Sequence, residues 1–473
     1  MTQTRREFLC RLGSFGAAAA AMERFGIMNV LAQSSDYKAL VCIFLFGGND
    51  ANNMVMPYSD YASYSAARSA SGIAIPKDSL LQVSPPSLPG SVFGFHPGMA
   101  GMQELWYMGK LGVVCNVGPL VEPTTRTTYQ NASVRLPLNL FSHSDQQNQW
   151  QTSVSNSQSS AGWGGRLADK TADLNIVTFP PVTSVSSTPI FTSGNVQRPL
   201  AIAPAPTALN AALQLNGFSA TQSVRDQDPR YIALQNLLLQ DQNFTLIRGA
   251  SRVTREAVSI EKSLRAAGNP TIAPFPLSPR TTLGNQLEQV AKMISIRNTL
   301  GMRRQIFFCS LGGFDTHTGQ VTSSASPTTG TQATLLAQVS GAMRAFYDAT
   351  ETMGVASQVT TFTFSDFSRT FVPNGTLGTD HAWASHLFVA GGAVRGSDFY
   401  GLPASNGTVF PSLVAGAGDD TDNGSTARGR FVPSVGVDQF GATLASWFGV
   451  SDADLPAVFP NINNFGARNL FFL

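Results

Sequence analysis

Charged residues, cysteine and long apolar runs are all scarce in this sequence of 473 residues. Only 13% of the residues are charged, and 31 Lys and Arg side chains are balanced by 29 Asp and Glu side chains. No basic cluster breaks this balance, so binding to nucleic acid, which depends on neutralising phosphates, is not expected. After residue 32, no apolar stretch approaches the roughly 20 residues that a membrane-spanning helix requires. We therefore predict no transmembrane segment in the mature chain.

The four cysteines argue against two classes of site. No two of them form a C-x-x-C pair, so thiol redox chemistry and zinc–thiolate coordination have little support. Cys42, Cys115 and Cys309 each lie inside an apolar run, where cysteine behaves as a small hydrophobic residue. We predict three buried free thiols, and the alternative is one disulfide with one thiol left over.

The first 32 residues have the pattern of an export signal. Arg5 and Arg6 precede an apolar, Ala-rich stretch from Leu12 to Met22, and Val30-Leu31-Ala32 offers the small residues that a signal peptidase requires. Paired arginines are typical of the twin-arginine (Tat) route. The alternative is a basic helix of a cytosolic protein, but the stretch is too apolar for a solvated helix. We predict a Tat signal peptide over 1–32 and a mature protein that is periplasmic or extracellular.

Four short runs of continuous hydrophobicity predict buried parallel strands. These runs are Ala39–Phe46, Leu111–Val117, Gln305–Leu311 and Gln358–Phe364. Continuous rather than alternating hydrophobicity is expected where helices cover both faces of a sheet. Helical patterns separate the runs, and this alternation favours a parallel α/β sheet; the helical ranges are 97–110, 229–267, 283–300, 331–354 and 442–448. We predict one α/β domain over 33–473, with an irregular cap or insertion around 153–225, where Ser, Thr, Pro and Gly abound.

Aspartate and histidine residues follow the ends of the predicted strands. Ligands bind beyond the carboxyl ends of strands in open α/β sheets. Carboxylates beside neutral imidazoles suit Zn²⁺ or Mn²⁺ and, with more oxygen ligands, Mg²⁺ or Ca²⁺. We therefore predict a shared site for one or two divalent cations. The candidate metal ligands are Asp50, Asp315, His317, Asp366, His381 and His386, and the candidate catalytic residues beside them are His143, Ser144 and Arg369.

Each of these residues, taken alone, also has a structural explanation. An aspartate at a strand end often caps the next helix. Arg369 could hold a carboxylate in a structural pair instead of binding an anionic substrate. Gly47 and Gly48 could simply permit a tight turn. The set as a whole favours a functional site, because clustered titratable groups concentrate at such sites.

Five motifs occur in a fixed order along the chain. They are GGND at 47–50, HSDQQ at 143–147, GGFDTH at 312–317, SDFSRT at 365–370 and TDHAW at 379–383. In this order they resemble an uncharacterised bacterial family, the Tat-exported "domain of unknown function 1501" proteins, from Ala39 to about Phe465. The resemblance implies membership of the alkaline phosphatase and sulfatase superfamily. It therefore implies an alkaline-phosphatase-like sandwich, with a mainly parallel central sheet flanked by helices and two divalent metals at its carboxyl edge.

The resemblance also assigns roles to individual residues. The implied metal ligands are Asp50 for the first metal, Asp315 and His317 for the other metal, Asp366 as the late strand-end ligand, and His381 or His386 as the last histidine. Phe367 stands where the superfamily has a histidine. No residue matches the nucleophile unambiguously. Ser144, at a predicted helix start, is the best candidate, since the helix dipole and a nearby cation favour its alkoxide, and Ser142 is nearly as good.

Two functions are compatible with these residues. The first is an exported metal-dependent hydrolase of phosphate or sulfate esters, in which Ser144 or water attacks and Arg369 stabilises the anion. The second is a non-catalytic, metal-stabilised envelope protein that binds a protein partner on the same scaffold, which Phe367 and the unclear nucleophile favour. An adhesin or surface-layer protein fits less well, because such proteins show alternating antiparallel strands.

Overall fold

The structure is a computed structural model that describes residues 36–175, 179–213, 215–219, 221–272, 275 and 280–473. The predicted signal peptide, 1–32, lies outside the described residues. The strands are β1 Lys38–Leu45, β2 Val55–Pro57, β3 Leu81–Val83, β4 Phe93–Phe95, β5 Leu111–Gly118, β6 Val182–Ser184, β7 Leu200–Ala201, β8 Arg304–Leu311, β9 Val359–Ser365, β10 Ser385–Gly391, β11 Phe399–Tyr400 and β12 Val435–Gly436.

The α-helices confirm the predicted helical ranges and add shorter ones. The range 229–267 holds two helices rather than one. In the part of the chain that the structure describes, no helix combines the length and apolar character needed to cross a bilayer. The helices are α1 Tyr61–Arg68, α2 Ala100–Tyr107, α3 Arg126–Gln130, α4 His143–Thr152, α5 Trp163–Thr171, α6 Gln222–Arg225, α7 Pro229–Leu237, α8 Thr245–Ala267, α9 Thr282–Ser295, α10 Thr331–Thr352, α11 Val437–Phe448 and α12 Leu455–Val458.

A mainly parallel central sheet organises the molecule, as predicted. Its order is β11-β5-β10-β9-β1-β8-β6-β7, and β12 also pairs with β5. The central strand β1 runs parallel to both β8 and β9, whereas β10 runs antiparallel to β9 and β5. The four predicted strands are β1, β5, β8 and β9, so the α/β fold class is confirmed. β2, β3 and β4 form a separate antiparallel sheet.

Both faces of the central sheet are buried, which explains the continuous hydrophobicity of its strands. Alternate side chains of β1 contribute to two different apolar clusters: Val41 and Ile43 to one, Cys42 and Phe44 to the other. Helices α2, α9 and α10 pack on the first face, and α5 and α11 pack on the second. The three described cysteines are buried free thiols, as predicted.

The range predicted as a cap or insertion, 153–225, contributes a helix and two short strands to the main fold. The range supplies α5, whose Trp163 packs in an apolar cluster on one face of the sheet, strand β6 and the edge strand β7. These strands have only three and two residues, so they left no apolar run in the sequence.

Asp438, in the first turn of α11, gives a prediction about stability. Burial raises the pKa of its carboxyl group from the usual 3.8 to about 7. The folded state therefore holds a proton that the unfolded state releases above pH 4, and folding stability falls as the pH rises through 7. The slope is at most about 1.4 kcal/mol for each pH unit. We expect Asp438→Asn to flatten this slope and to be more stable than wild type at pH 8.

Urea unfolding at pH 5 and pH 8 measures this effect. The exposed Asp452→Asn is the matched control, and it is expected to leave the slope unchanged. Equal slopes for wild type and Asp438→Asn would contradict the assignment.

Candidate metal centre

Three strand ends and the loops that follow them build the candidate site. β1, β8 and β9 run parallel and side by side, so their carboxyl ends lie at one edge of the sheet. The loop after β1 lies directly on the loop after β8, where Phe314 N donates to Phe46 O at 3.1 Å. A Cβ atom at Gly47 would collide with the Asp315 backbone, and one at Gly48 with the Phe367 ring. These two glycines therefore permit the close approach of the loops.

Three imidazole rings converge on one carboxylate oxygen. Asp315 Oδ1 lies 3.5 Å from His143 Nε2, 3.3 Å from His317 Nε2 and 3.8 Å from His381 Nε2. The Nε2 atoms of His317 and His381 are 2.9 Å apart. The potential ligand atoms of His143, Asp315 and His381 all lie within 4.8 Å of one another. We call these four residues the His₃Asp cluster.

The other ring nitrogen of each histidine has its own partner. Histidine ligands of metals almost always donate this second N–H to a carboxylate or carbonyl, which fixes the ring and its tautomer. All three rings of the cluster follow that pattern, so each Nε2 is free to face the centre. The Nδ1 partners are Asp366 Oδ2 for His143 at 2.6 Å, Asp380 Oδ1 for His317 at 3.0 Å and Phe141 O for His381 at 2.7 Å.

The cluster fits a divalent cation. Among the described residues, His143 Nε2 is buried without a hydrogen-bond partner. With Nδ1 protonated, the Nε2 lone pairs of His317 and His381 face each other, an arrangement that a shared cation stabilises. Three imidazole nitrogens and one carboxylate oxygen are donors that suit Zn²⁺.

The electrostatics favour the metal-binding forms of Asp315 and His381 and the protonated form of His143. Partial burial acts to raise the pKa of Asp315, but the Arg369 guanidinium, the largest opposing influence, holds it below its usual value. Burial lowers the pKa of His381, so this ring is neutral at pH 7. The hydrogen bond with Asp366 raises the pKa of His143, so a metal has to displace a proton there at low pH.

Arg369 and Asp366 each hold one residue of the cluster in place: Arg369 contacts Asp315, and Asp366 contacts His143. The buried Arg369 guanidinium donates to Asp315 Oδ1 at 2.9 Å and to Gly47 O at 3.3 Å. Asp366 Oδ1 accepts from Gly47 N at 3.1 Å, and its Oδ2 accepts from Gln147 Nε2 at 2.7 Å as well as contacting His143. The structure therefore places Arg369 in an ion pair with Asp315, and Asp366 at the Nδ1 side of the His143 ring.

Asp50 lies in a different buried environment from the cluster. Arg68 donates to its two carboxylate oxygens at 2.6 and 3.1 Å, and Gln320 Nε2 donates at 2.7 Å. The carboxylate also accepts from Asn52 N at 3.1 Å, as the cap of a 3₁₀ turn. Its oxygens are occupied by these donors, so the structure supports the capping explanation and does not place Asp50 in the predicted metal site.

His386 and Ser144 also lie apart from the cluster. His386 is buried within β10, where Nδ1 accepts from Asn116 N at 3.2 Å and the ring stacks on Phe410. Burial lowers its pKa to about 3. Ser144 is exposed, and the described contacts of its hydroxyl are with Ser142 at 3.2 Å and Asp145 at 3.5 Å. Of the nine predicted residues, the structure therefore brings six together, namely the four cluster residues with Asp366 and Arg369, and leaves Asp50, His386 and Ser144 outside.

Three supporting residues were not predicted. Asp380 orients His317 and accepts from Arg428 at 3.0 Å, and Gln147 supports Asp366. The signal for Gln147 was present: in HSDQQ it follows His143 by four residues, and such residues share one face of a helix. Asp380 lies in the TDHAW motif directly before His381, so its position was also an indication. Arg428 lies outside every motif, so nothing in the sequence indicated its role.

Comparisons with known proteins complete the description. A family model described as "Protein of unknown function (DUF1501)" matches residues 37–409. No curated protein matches the chain. The chain is similar to the crystal structure of Ps i-CgsB in complex with k-i-k-neocarrahexaose, with 10% identity over 90% of this chain and 76% of that chain and a TM-score of 0.30. It is also similar to the PsFucS1 sulfatase from Pseudoalteromonas sp., with 9% identity over 79% of this chain and 66% of that chain and a TM-score of 0.28.

Proposed function

We propose that this chain, which belongs to the DUF1501 family of proteins of unknown function, is an exported, metal-dependent hydrolase of phosphate or sulfate esters. The observation that carries the proposal is the convergence of three Nε2 atoms on Asp315 Oδ1, with a separate partner for each Nδ1. The resemblance of the motifs to the alkaline phosphatase and sulfatase superfamily supports the ester substrate. The Tat signal pattern over 1–32 supports export.

We propose one bound ion, held by the His₃Asp cluster. The engagement of Asp50 by Arg68 and of Asp366 by His143 argues against a second ion at these two carboxylates. Zn²⁺ suits three imidazoles and one carboxylate better than Mg²⁺ or Ca²⁺, which favour oxygen ligands. When bound, the ion would polarise an ester oxygen and lower the pKa of a water molecule, provided that a coordination position beyond the four protein ligands stays open.

The protein's own residues prepare this site for an anionic substrate. Arg369 keeps Asp315 ionised, and Asp366 and Asp380 fix the rings of two ligands. About half of the Asp315 and His317 side-chain surface is exposed, which leaves an open face for the substrate. The Ser144 hydroxyl contacts Ser142 and Asp145 rather than the cluster, so we assign the attack to water.

A non-catalytic, metal-stabilised envelope protein with a protein partner is the second candidate function. The observation that favours it is the position of Phe367. This buried ring lies 4.8 Å from the rings of both His143 and His381, so an apolar side chain stands beside the cluster where a titratable group would assist hydrolysis.

Metal content and ester hydrolysis test the two functions together. The purified mature protein is expected to hold about one Zn²⁺ per chain, a stoichiometry that follows from its four ligands, and to hydrolyse 4-nitrophenyl phosphate or 4-nitrophenyl sulfate. Asp315→Asn is expected to abolish both properties. Ser144→Ala is expected to retain both, because water is the proposed nucleophile.

The controls separate the alternatives. A folded protein with zinc but without hydrolysis of either ester would support the binding function. A folded protein without zinc would contradict both functions. A large loss of turnover in Ser144→Ala, with zinc retained, would reassign the attack to that hydroxyl.

A further inference from the structure

A wholly buried polar network lies next to the His₃Asp cluster. Its members come from five separate segments of the chain, yet almost none of their surface reaches solvent. The function of this network bears on the proposed metal site, so the inference below rests on the proposed function. The members are Asp50, Asn53, Arg68, Thr316, Gln320, Gln332 and Thr379.

An ion pair forms one end of the network. The side chains of Arg68 and Asp50 are both fully buried, and the guanidinium also donates to Asn53 Oδ1 at 2.7 Å and to Thr370 O at 3.1 Å. Removing two charges from water costs several kcal/mol for each ion, and apolar residues of similar volume often stabilise a protein as well or better. A contribution to folding stability therefore does not by itself explain why this buried ion pair is present.

Gln320 connects the ion pair to both ligand loops. Its Nε2 donates to Asp50 Oδ2 at 2.7 Å and to Gln332 Oε1 at 2.8 Å. Its Oε1 accepts from the hydroxyls of Thr379 at 2.7 Å and Thr316 at 3.2 Å. Asp50 therefore fixes the orientation of the Gln320 amide, and that amide holds two threonines.

These two threonines adjoin the ligands. Thr316 stands between Asp315 and His317, and Thr379 is two residues before His381. The two loops also contact each other directly, since Thr379 N donates to Thr316 O at 3.1 Å. Ligand side chains have to be held within about 0.5 Å of the productive geometry, which requires a rigid supporting layer.

We propose that Gln320, oriented by the Asp50–Arg68 pair, is a positioning residue that holds the two ligand loops at coordination distance. In this role Asp50 acts on the metal site through Gln320 and the threonine hydroxyls, and does not bind the ion. The network thereby couples the loop after β1 to the loops that carry Asp315, His317 and His381.

The matched pair Thr379→Val and Thr379→Ser tests this proposal. Valine keeps the shape of threonine and removes the hydroxyl, whereas serine keeps the hydroxyl. Thr379→Val is expected to lower the affinity for Zn²⁺ about tenfold, the lower end of the range for outer-shell partners. It is also expected to change the visible absorption bands of bound Co²⁺. Thr379→Ser is expected to keep wild-type affinity and spectrum. Competition with a chromophoric chelator measures the affinity.

Thr443→Val is the structural control. Thr443 is equally buried in α11, where its hydroxyl donates to Gln439 O at 3.0 Å and accepts from Leu470 N at 2.9 Å, so this variant loses two buried hydrogen bonds. It is expected to keep wild-type affinity for Zn²⁺. If Thr379→Val does not fold, Gln320→Glu replaces it, since this change removes the donor to Asp50 and is also expected to weaken Zn²⁺ binding.

The outcomes separate this inference from the proposed function. Equal Zn²⁺ affinities for wild type, Thr379→Val and Gln320→Glu would overturn the positioning role and leave the metal site intact. A wild-type protein that binds no Zn²⁺ would overturn the proposed function itself. An equal loss of affinity in Thr443→Val would assign the effect to general destabilisation.

Discussion

Replacing His317 with glutamine is expected to lower the affinity of the protein for Zn²⁺ by more than about 100-fold. Loss of an outer-shell partner typically costs 10- to 100-fold, and His317 is a proposed direct ligand, so its loss should cost more. His317 Nε2 lies 3.3 Å from Asp315 Oδ1 and 2.9 Å from His381 Nε2, at the centre of the cluster. Competition with a chromophoric chelator at fixed pH measures the change.

His386→Gln is the matched control for this experiment. His386 was also predicted to be a ligand, but it lies in β10 against Phe410, so its replacement is expected to leave zinc affinity unchanged. Thermal unfolding gives a second readout. Zinc at 100 times its dissociation constant should stabilise wild type and His386→Gln by about 2.7 kcal/mol. A similar gain in His317→Gln would contradict the assignment of His317 as a ligand.

Replacing Arg68 with methionine is expected to destabilise the protein by about 3–5 kcal/mol, the usual cost of breaking a buried ion pair. Methionine fills much of the same volume, but it leaves the Asp50 carboxylate buried without its cation. Arg68 also donates to Asn53 and to the carbonyl of Thr370, so these acceptors lose a partner as well. Chemical unfolding by guanidinium chloride measures the change.

An exposed ion pair provides the control. Lys170 Nζ and Asp454 Oδ1 lie 2.9 Å apart and both side chains are partly exposed, so Lys170→Met is expected to cost less than about 1 kcal/mol. The double variant Arg68→Met/Asp50→Leu should recover much of the lost stability, because no charge remains buried. Comparable effects of Arg68→Met and Lys170→Met would show that Asp50 does not depend on Arg68.

The central part of the fold was predictable because its strands are buried on both faces. β1, β5, β8 and β9 appear in the sequence as mainly apolar runs, as expected of strands that are buried on both faces. β10 was not predicted, since its sequence begins with the polar residues Ser385 and His386 next to a motif. β6 and β7 were assigned to a cap, because strands of two or three residues leave no measurable periodicity.

The location of the candidate site was predictable, but the roles of its residues were predictable only in part. Parallel strands deliver their carboxyl ends to one edge, so the convergence of His143, Asp315, His317 and His381 follows from topology. The role of Asp50 did not follow, because its partner Arg68 lies on a helix without any motif. A sequence does not show which carboxylate meets a buried cation. That choice depends on side-chain packing between segments far apart along the chain.

The opposite direction of β10 has a consequence for how this site can vary. Because β9 leaves the sheet and β10 enters it at the same edge, the connection 366–384 never crosses to the other end of the molecule. This one connection carries Asp366, Arg369, Asp380 and His381. A change in the length of this connection would move the proposed ligand His381 and three supporting groups at once, while the pairing of the strands stayed the same. New specificities could therefore arise here through one insertion or deletion, without any rebuilding of the scaffold.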